Sequence, residues 1–254
     1  MSAPLNRRHV VILGLMAIFA APTIAQEIPA RPFIEVPVVH PIAKTTQPMK
    51  IGVVGAGNIG GTIGELFARA GHTVVFSDRD EANAKAQAAR VPGTRAVSGM
   101  EAIAASDVIV MGIPFGAWPA VAKQYGAALK GKIVIDPTNP NASRDGELAR
   151  TALTKPSTGE MVAEFLPGVR LVRAFNTSNY ANFAREAGRP APRMGIPVAA
   201  TDAATLSIGV RLVNDIGFDA VPVAGGLRGS ARFELRGPAN GLHTAAELKT
   251  IMGL

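Results

Sequence analysis

Residues 50–60, KIGVVGAGNIG, are the stretch that decides the fold. The apolar run KIGVV ends at Gly55, and residues 55–60 then match the pattern G-x-G-x-x-G. Apolar side chains follow at helical spacing as far as Ala70, and Gly71 ends that periodicity. A glycine-rich turn between a buried strand and a helix is the context in which this pattern predicts a dinucleotide-binding site.

Each glycine of the turn has a separate expected role. Gly55 permits the tight turn, Gly57 lets the backbone approach a pyrophosphate, and Gly60 allows close packing of the helix on the strand. The start of the helix supplies backbone N–H donors and the positive end of its dipole to the phosphates. Asn58 and Ile59 lie in that first turn.

Short apolar strands and helices continue to alternate as far as about residue 223. Further strands are predicted at Thr73–Phe76, Thr94–Val97, Asp107–Ile113, Lys132–Asp136, Leu171–Phe175, Ile196–Ala200 and Ala220–Val223. Helices are predicted at Glu81–Arg90 and near Gly116–Leu129, Gly159–Leu166 and Ala203–Ile216. This alternation favours an α/β fold, a Rossmann-type doubly wound parallel sheet with helices on both faces. From about residue 178, a short C-terminal extension is expected to add elements at one sheet edge and to close over the ligand.

The first 25 residues are typical of an export signal peptide. Arg7 and Arg8 form a basic region, and residues 10–21 (VVILGLMAIFAA) form an apolar run too short to span a bilayer. Small residues occupy the −3 and −1 positions, Thr23 and Ala25, of an expected cleavage site before Gln26. The paired arginines resemble a twin-arginine signal, with an ordinary secretory signal and an uncleaved anchor as alternatives. The expected location is periplasmic, after cleavage near Ala25.

A linker is predicted between this signal and the domain. Residues 26–48 show neither helical nor strand periodicity and are expected to be extended, and the domain is expected to occupy residues 49–254. The prolines of the linker are Pro29, Pro32, Pro37, Pro41 and Pro48.

Composition excludes several classes of site. The chain contains no cysteine, which removes disulfides, thiolate catalysis and iron–sulfur clusters, and its 4 histidines form no ligand-spaced pair, so no metal site is expected. The net charge is +7, but no basic block is interleaved with aromatics, so nucleic acid is not an expected partner. Neither tyrosine precedes a lysine by four positions and no Ser-His-Asp set is apparent, so no catalytic side chain is predicted.

The residues after the second predicted strand give conflicting signals about the cofactor. Asp78 lies about 20 positions beyond the glycines, where an acidic residue binds the ribose 2′-hydroxyl of NAD. Ser77 and Arg79 suit the 2′-phosphate of NADP, because a guanidinium pairs with phosphate in a bidentate manner. Successive side chains of a strand point to opposite sides, so we expect Ser77 and Arg79 to share one side. NADP is therefore the preferred cofactor, and NAD is the alternative.

Three further turns are expected to border the cofactor and the second substrate, since ligands of such sheets lie beyond the carboxyl ends of the strands. Ile113 and Pro114 follow the fourth predicted strand, Asn139 follows the fifth, and Asn176 and Thr177 follow the sixth. The two hydrogen-bonding side chains at positions 176 and 177 are suited to contact a ring system. Asn139, Asn176 and Thr177 are therefore assigned to the substrate side.

Several segments, in order, resemble the NADP oxidoreductase, coenzyme F420-dependent family of predicted dinucleotide-binding, Rossmann-fold proteins. They are VVGAGNIG, FSDRD, IPFGAW, KIVIDPTNP, LPGVRLVRAFNT and GFDAVPVAGGLRGSARFE, and they span roughly residues 50–236. The resemblance implies that NADP is held by Gly55, Gly57, Asn58, Ile59, Gly60, Ser77, Arg79, Ile113 and Pro114. It also implies that a deazaflavin lies over the nicotinamide on the side of Asn176 and Thr177. Asp78 departs from the family, which often has arginine there.

Two functions follow as expectations. The first is an exported oxidoreductase that transfers a hydride between NADP(H) and a deazaflavin (coenzyme F420), a flavin or a related small-molecule acceptor. The second is a non-catalytic nucleotide-binding module that senses redox state or partners a membrane reductase. A homodimer is left open in either case.

Overall fold

An eight-stranded sheet with strand order 3-2-1-4-5-6-7-8 forms the centre of the fold. The computed structural model describes Met1 and residues 34–254, so the predicted export signal and the first part of the linker lie outside the described residues. The strands are β1 (Lys50–Val54), β2 (Thr73–Ser77), β3 (Arg95–Ala96), β4 (Val108–Met111), β5 (Ile133–Asp136), β6 (Arg170–Arg173), β7 (Gly195–Ala200) and β8 (Asp219–Pro222).

Helices connect these strands. They are α1 (Asn58–Arg69), α2 (Glu81–Arg90), α3 (Gly99–Ala104), α4 (Trp118–Leu129), α5 (Ala142–Ala152), α6 (Thr158–Phe165), α7 (Tyr180–Glu186), α8 (Ala203–Asp215) and α9 (Ala245–Met252). A single turn of 3₁₀ helix lies at Phe115–Ala117, and a longer 3₁₀ helix lies at Gly226–Arg232. No helix in the described part of the chain is long and apolar enough to cross a membrane.

Both faces of the sheet are buried, which explains why its strands lack polar alternation. Along β4, Val108 and Val110 belong to one apolar layer, whereas Ile109 and Met111 belong to the other. Helices α1, α7 and α8 contribute to the first layer, and α3, α4 and α6 contribute to the second. The predicted α/β architecture with helices on both faces is confirmed.

One strand pair departs from the predicted all-parallel sheet. Strands β1 to β6 are all parallel to one another. Strand β7 runs antiparallel to β6, with Val172 opposite Ala200. After the short helix α7, the chain therefore enters β7 beside the carboxyl end of β6. An apolar strand pattern reports burial on two faces and carries no information about direction, so it gave no sign of this one antiparallel pair in the mostly parallel sheet.

Strand β6 ends at Arg173, two residues earlier than predicted. Phe175 has a φ of 61°, in the left-handed region that bulky residues rarely adopt. Its ring packs edge-on against Phe183 and Phe218, with centroids 5.8 Å and 6.1 Å away. The aromatic contacts hold this unusual turn in place at the carboxyl end of β6.

Residues 34–48, called the arm below, form neither helix nor strand and lie against the domain. The backbone N–H of Thr45 donates to the carbonyl of Ala70 at 2.8 Å, and the Arg211 guanidinium donates to the carbonyl of Gln47 at 2.9 Å. Val38 and Ile42 pack against the apolar layer that contains α1. This part of the predicted linker is therefore attached to the fold.

A buried histidine lies where the arm joins β1. His72 Nδ1 accepts a hydrogen bond from the Met49 N–H at 3.1 Å, and His72 Nε2 lies 3.4 Å from the Asp215 carboxylate. Burial lowers the pKa of His72, and Arg211 acts in the same direction, whereas Asp215 opposes both. An imidazole that accepts from a backbone N–H must be neutral, so the fold selects neutral His72.

We predict that the free energy of unfolding decreases as pH falls below about 6.5, the ordinary histidine pKa. The unfolded chain takes up a proton at this position before the folded chain does, so stability rises with pH in this window and is lost on acidification. Chemical denaturation between about pH 7.5 and 5.5 measures the slope. His72→Asn, whose Oδ1 retains an acceptor for Met49, should reduce that slope; an unchanged slope would contradict this assignment.

Candidate functional site

The glycine turn lies at the point where the strand order of the sheet reverses. Strand β1 pairs with β2 on one side and with β4 on the other. The connection through α1 leads to β2, and the later connection through α3 leads to β4. In open parallel sheets this reversal leaves a crevice beyond the carboxyl ends of the strands, which is the usual position of a bound ligand.

Three backbones meet in this crevice at distances that only glycine allows. Gly55 has a φ of 93°, and a Cβ on Gly60 would lie 2.0 Å from its carbonyl oxygen. A Cβ on Gly112, after β4, would lie 2.3 Å from the same oxygen. The predicted roles of Gly55 and Gly60 match this geometry. Gly112 was not predicted, although it directly follows the apolar run of β4.

Gly57 differs from these glycines because its side of the turn is open. A Cβ built on Gly57 would meet nothing within 4 Å among the described residues. Gly57 is the N-cap of α1, no side chain caps this helix, and its first turn contains no acidic residue. Uncapped N–H groups beside open space form a cradle suited to a phosphate, so Gly57, Asn58 and Ile59 fit a pyrophosphate.

The turn after β2 corrects the expected orientation of Ser77. The Ser77 hydroxyl is buried and donates to the Val53 carbonyl at 2.9 Å, whereas Arg79 is exposed. Ser77 and Arg79 therefore do not present their side chains together, because the hydroxyl ties β2 to β1. The Asp78 carboxylate accepts from the Asp80 N–H at 3.0 Å, and Asp80 in turn caps α2.

Ile113 and Pro114 lie beside the glycine turn, as predicted. A Cβ on Gly55 would lie 3.2 Å from the Ile113 backbone nitrogen, and both residues are half-buried. Pro114 then begins the 3₁₀ turn at Phe115–Ala117. The two apolar residues therefore border the crevice on the β4 side.

The turns after β5 and β6 also come together. The side-chain amide of Asn139 donates to the Asn176 carbonyl at 2.6 Å. Asn176 directly follows the strained Phe175, and Asn176 Oδ1 and Thr177 Oγ1 are buried without a hydrogen-bond partner among the described residues. Buried polar atoms without partners are uncommon and costly, so these two oxygens require a hydrogen-bond partner from an ordered water or a ligand.

A buried charged cluster supports this side of the site, and sequence patterns did not predict it. Arg173, at the end of β6, donates to the Asp136 carboxylate at 2.8 Å and to the Thr158 hydroxyl at 3.0 Å. The Arg173 and Asp136 side chains are both fully buried. Arg173 Nε lies 3.7 Å from Glu234, which comes from the C-terminal extension. The termini of β5 and β6 are thus joined to that extension.

Glu234 is held as a carboxylate in this cluster. It accepts from the backbone N–H groups of Thr158 at 2.8 Å and Gly159 at 3.0 Å, and from the Ser230 hydroxyl. Burial opposes its ionisation, but Arg173 and these hydrogen bonds together hold the pKa of Glu234 below its usual range. Burial raises the pKa of Asp136, against the attraction of Arg173. The cluster neutralises a buried arginine and fixes the extension.

Metal chemistry receives no support from the described residues, which contain no group of three or more His, Cys, Asp or Glu side chains able to hold a metal ion. The prediction that no metal is bound remains a prediction, because it concerns the chain in solution.

Comparison with known proteins finds a family match in the first part of the domain. Residues 50–140 match the family described as NADP oxidoreductase, coenzyme F420-dependent, which confirms the resemblance over those residues. No curated protein matches the sequence.

Solved structures show the same fold. A hypothetical protein from Sinorhizobium meliloti superposes with a TM-score of 0.66 at 23% identity, covering 75% of this chain and 92% of that one. A candidate F420-dependent NADP reductase from an Arthrobacter species gives 0.62 at 23% identity, covering 72% and 89%. 3-Hydroxyisobutyrate dehydrogenase from Mycobacterium tuberculosis gives 0.52 at 17% identity, covering 73% and 57%. At these identities the comparisons establish a Rossmann-like fold shared with dinucleotide-binding reductases.

Gly60→Ala should destabilise the protein by about 2 kcal/mol or more, because the new methyl group would overlap the Gly55 carbonyl in a fully packed region. Gly126→Ala is the control: Gly126 lies in α4, and its Cβ would meet nothing within 4 Å. That control should be neutral or stabilising, because alanine favours helix. Equal unfolding free energies for the two variants in urea would contradict the close approach described here.

Proposed function

We propose that this chain binds NADP(H) in the crevice between β1 and β4 and transfers a hydride between it and a deazaflavin, a flavin or a related acceptor. The observation that carries this proposal is the glycine turn, in which Gly55 and Gly60 are closely packed while Gly57 faces open space. The uncapped start of α1 would hold the pyrophosphate. The family match over residues 50–140 supports the choice of NADP and of a deazaflavin as acceptor.

The residues assigned to the two substrates lie on adjacent strand ends. Ile113 and Pro114 border the glycine turn, and the contact between Asn139 and Asn176 joins the next two turns. When bound, NADPH supplies the hydride, and the protein supplies binding, orientation and exclusion of water. Direct hydride transfer between two rings depends mainly on placement, and the proton that the reduced acceptor also takes up comes from water. The acceptor would meet Asn176 and Thr177, whose buried oxygens lack partners in the described part of the chain.

A non-catalytic nucleotide-binding module is the second candidate. The observation that favours it is the pairing of two buried carboxyl groups, since Asp136 and Glu234 both contact Arg173. Such a module would bind the nucleotide and report redox state without turning it over.

NADPH oxidation in the presence of coenzyme F420, FMN or FAD separates the two candidates. We expect loss of NADPH absorbance with at least one of these acceptors, and with coenzyme F420 in particular. Tight NADPH binding without turnover on any acceptor would reject the enzyme and leave the binding module. Failure to bind NADPH and NADH would reject both.

Arg79→Ala should weaken NADPH binding at least about tenfold, which corresponds to 1.4 kcal/mol, and should leave NADH binding nearly unchanged. The exposed guanidinium of Arg79 is the group in this turn suited to the 2′-phosphate. Asp78→Asn is the matched control, because it removes a charge and keeps the Oδ1 acceptor for the Asp80 N–H. Loss of NADH binding in the control with no effect at Arg79 would identify an NAD-binding protein.

Thr177→Val should lower kcat/KM for the acceptor about tenfold, as expected for loss of one hydrogen bond, without loss of stability. Its hydroxyl has no partner among the described residues, so its removal leaves no other group unsatisfied. Thr138→Val is the stability control, because Thr138 Oγ1 accepts from the buried Trp118 indole at 3.0 Å. That control should cost about 1–3 kcal/mol in denaturant unfolding. A matching loss of stability at Thr177 would assign it a structural role.

We also propose that the protein is exported to the periplasm, on the basis of Arg7, Arg8 and the apolar run that follows. Mass spectrometry of the protein from native cells should give a chain that begins at Gln26. An intact chain beginning at Met1 in the cytosolic fraction would contradict export. Replacing Arg7 and Arg8 with lysine should block export only if the twin-arginine route is used.

A further inference from the structure

The arm reaches the proposed phosphate site at one end and is anchored at the other. The Ile34 backbone N–H donates to Asn58 Oδ1 at 2.6 Å, and Asn58 is the first residue of α1. At the opposite end of α1, the Thr45 N–H donates to the Ala70 carbonyl at 2.8 Å. The arm therefore runs along the whole of α1 in the same direction as the helix.

Charged contacts hold both ends of the arm. Glu35 lies 3.1 Å from the Arg90 guanidinium at the end of α2, and Arg90 also lies 3.5 Å from Glu65 of α1. The Lys44 ammonium donates to the Arg69 carbonyl at 2.8 Å, at the carboxyl end of α1. These contacts connect the arm to α1, which follows the nucleotide turn, and to α2.

The hydrogen bond from Ile34 determines which atoms of Asn58 remain available. A carboxamide has one acceptor oxygen and one NH₂ donor group, and the oxygen is committed to the arm. The N-cap of α1 is Gly57, which has no side chain that could bond to the Asn58 amide. With its oxygen bound, Asn58 presents its NH₂ group as the remaining hydrogen-bonding group, which suits an anion.

We infer that the arm is a positioning element for the nucleotide, and that the Ile34 N–H orients Asn58 as a donor to the pyrophosphate. This inference rests on the proposed function. It extends that function to a segment outside the glycine motif, which lies between the predicted signal peptide and the domain. Because NADPH and NADH share the pyrophosphate, the arm should act equally on both cofactors, unlike Arg79.

Ile34→Pro tests this role, because proline lacks the backbone N–H that Asn58 accepts. Ile34→Ala keeps the N–H and is the matched control for loss of the side chain. In the full chain, we expect Ile34→Pro to weaken NADPH and NADH binding about three- to tenfold, as expected for loss of one hydrogen bond, while Ile34→Ala binds like the wild type. Binding is measured by isothermal titration calorimetry, and Tm is measured without nucleotide.

Combining each change with Asn58→Ala separates positioning from general stability. Without the Asn58 amide, Ile34→Pro should cause no further loss of affinity, because the group that it orients is absent. If Ile34→Pro weakened nucleotide binding as much in the Asn58→Ala protein as in the wild type, the inference would be overturned. A lower Tm with unchanged nucleotide affinity would also overturn it, and either result would leave the arm a structural role. Tighter binding by Ile34→Pro would overturn it in favour of an arm that obstructs the site. If the wild type binds neither nucleotide, the proposed function itself fails.

Discussion

The close approach of Gly55, Gly60 and Gly112 is the constraint on which the rest of the site depends. Helix α1 can begin directly beside β1 and β4 only because none of these residues carries a Cβ. That approach directs the uncapped N–H groups of α1 into the crevice where the strand order reverses. Gly57, which lies between Gly55 and Gly60 in the turn, then faces open space where a pyrophosphate fits.

The acceptor side depends on charge compensation in the interior. Arg173 is fully buried, and its charge is compensated by the carboxyl groups of Asp136 and Glu234. Because Glu234 also binds the start of α6, the same cluster fixes the C-terminal extension beside Asn176. The strained φ of Phe175 is held within this framework, so the two unpartnered oxygens are placed by the surrounding fold.

Local sequence patterns predicted the elements and the glycine turn well, because apolar periodicity and turn chemistry act over a few residues. Four helices, α3, α5, α7 and α9, were missed, since they are short or polar; their caps Ser98, Asn141, Asn179 and Thr244 were the available signal. The antiparallel β7, the inward hydroxyl of Ser77 and the Arg173 cluster depend on contacts between distant segments. No local pattern encodes such contacts, and the attachment of the arm belongs to the same class.

Nucleotide binding by Gly57→Ala tests the central claim most directly. An alanine methyl group there would enter the open side of the turn without touching the described residues, and the backbone φ of −71° suits alanine. The account predicts an unchanged Tm without nucleotide and an NADPH affinity reduced at least about tenfold, or 1.4 kcal/mol. Wild-type affinity in a normally folded Gly57→Ala protein would show that the pyrophosphate does not bind at this turn.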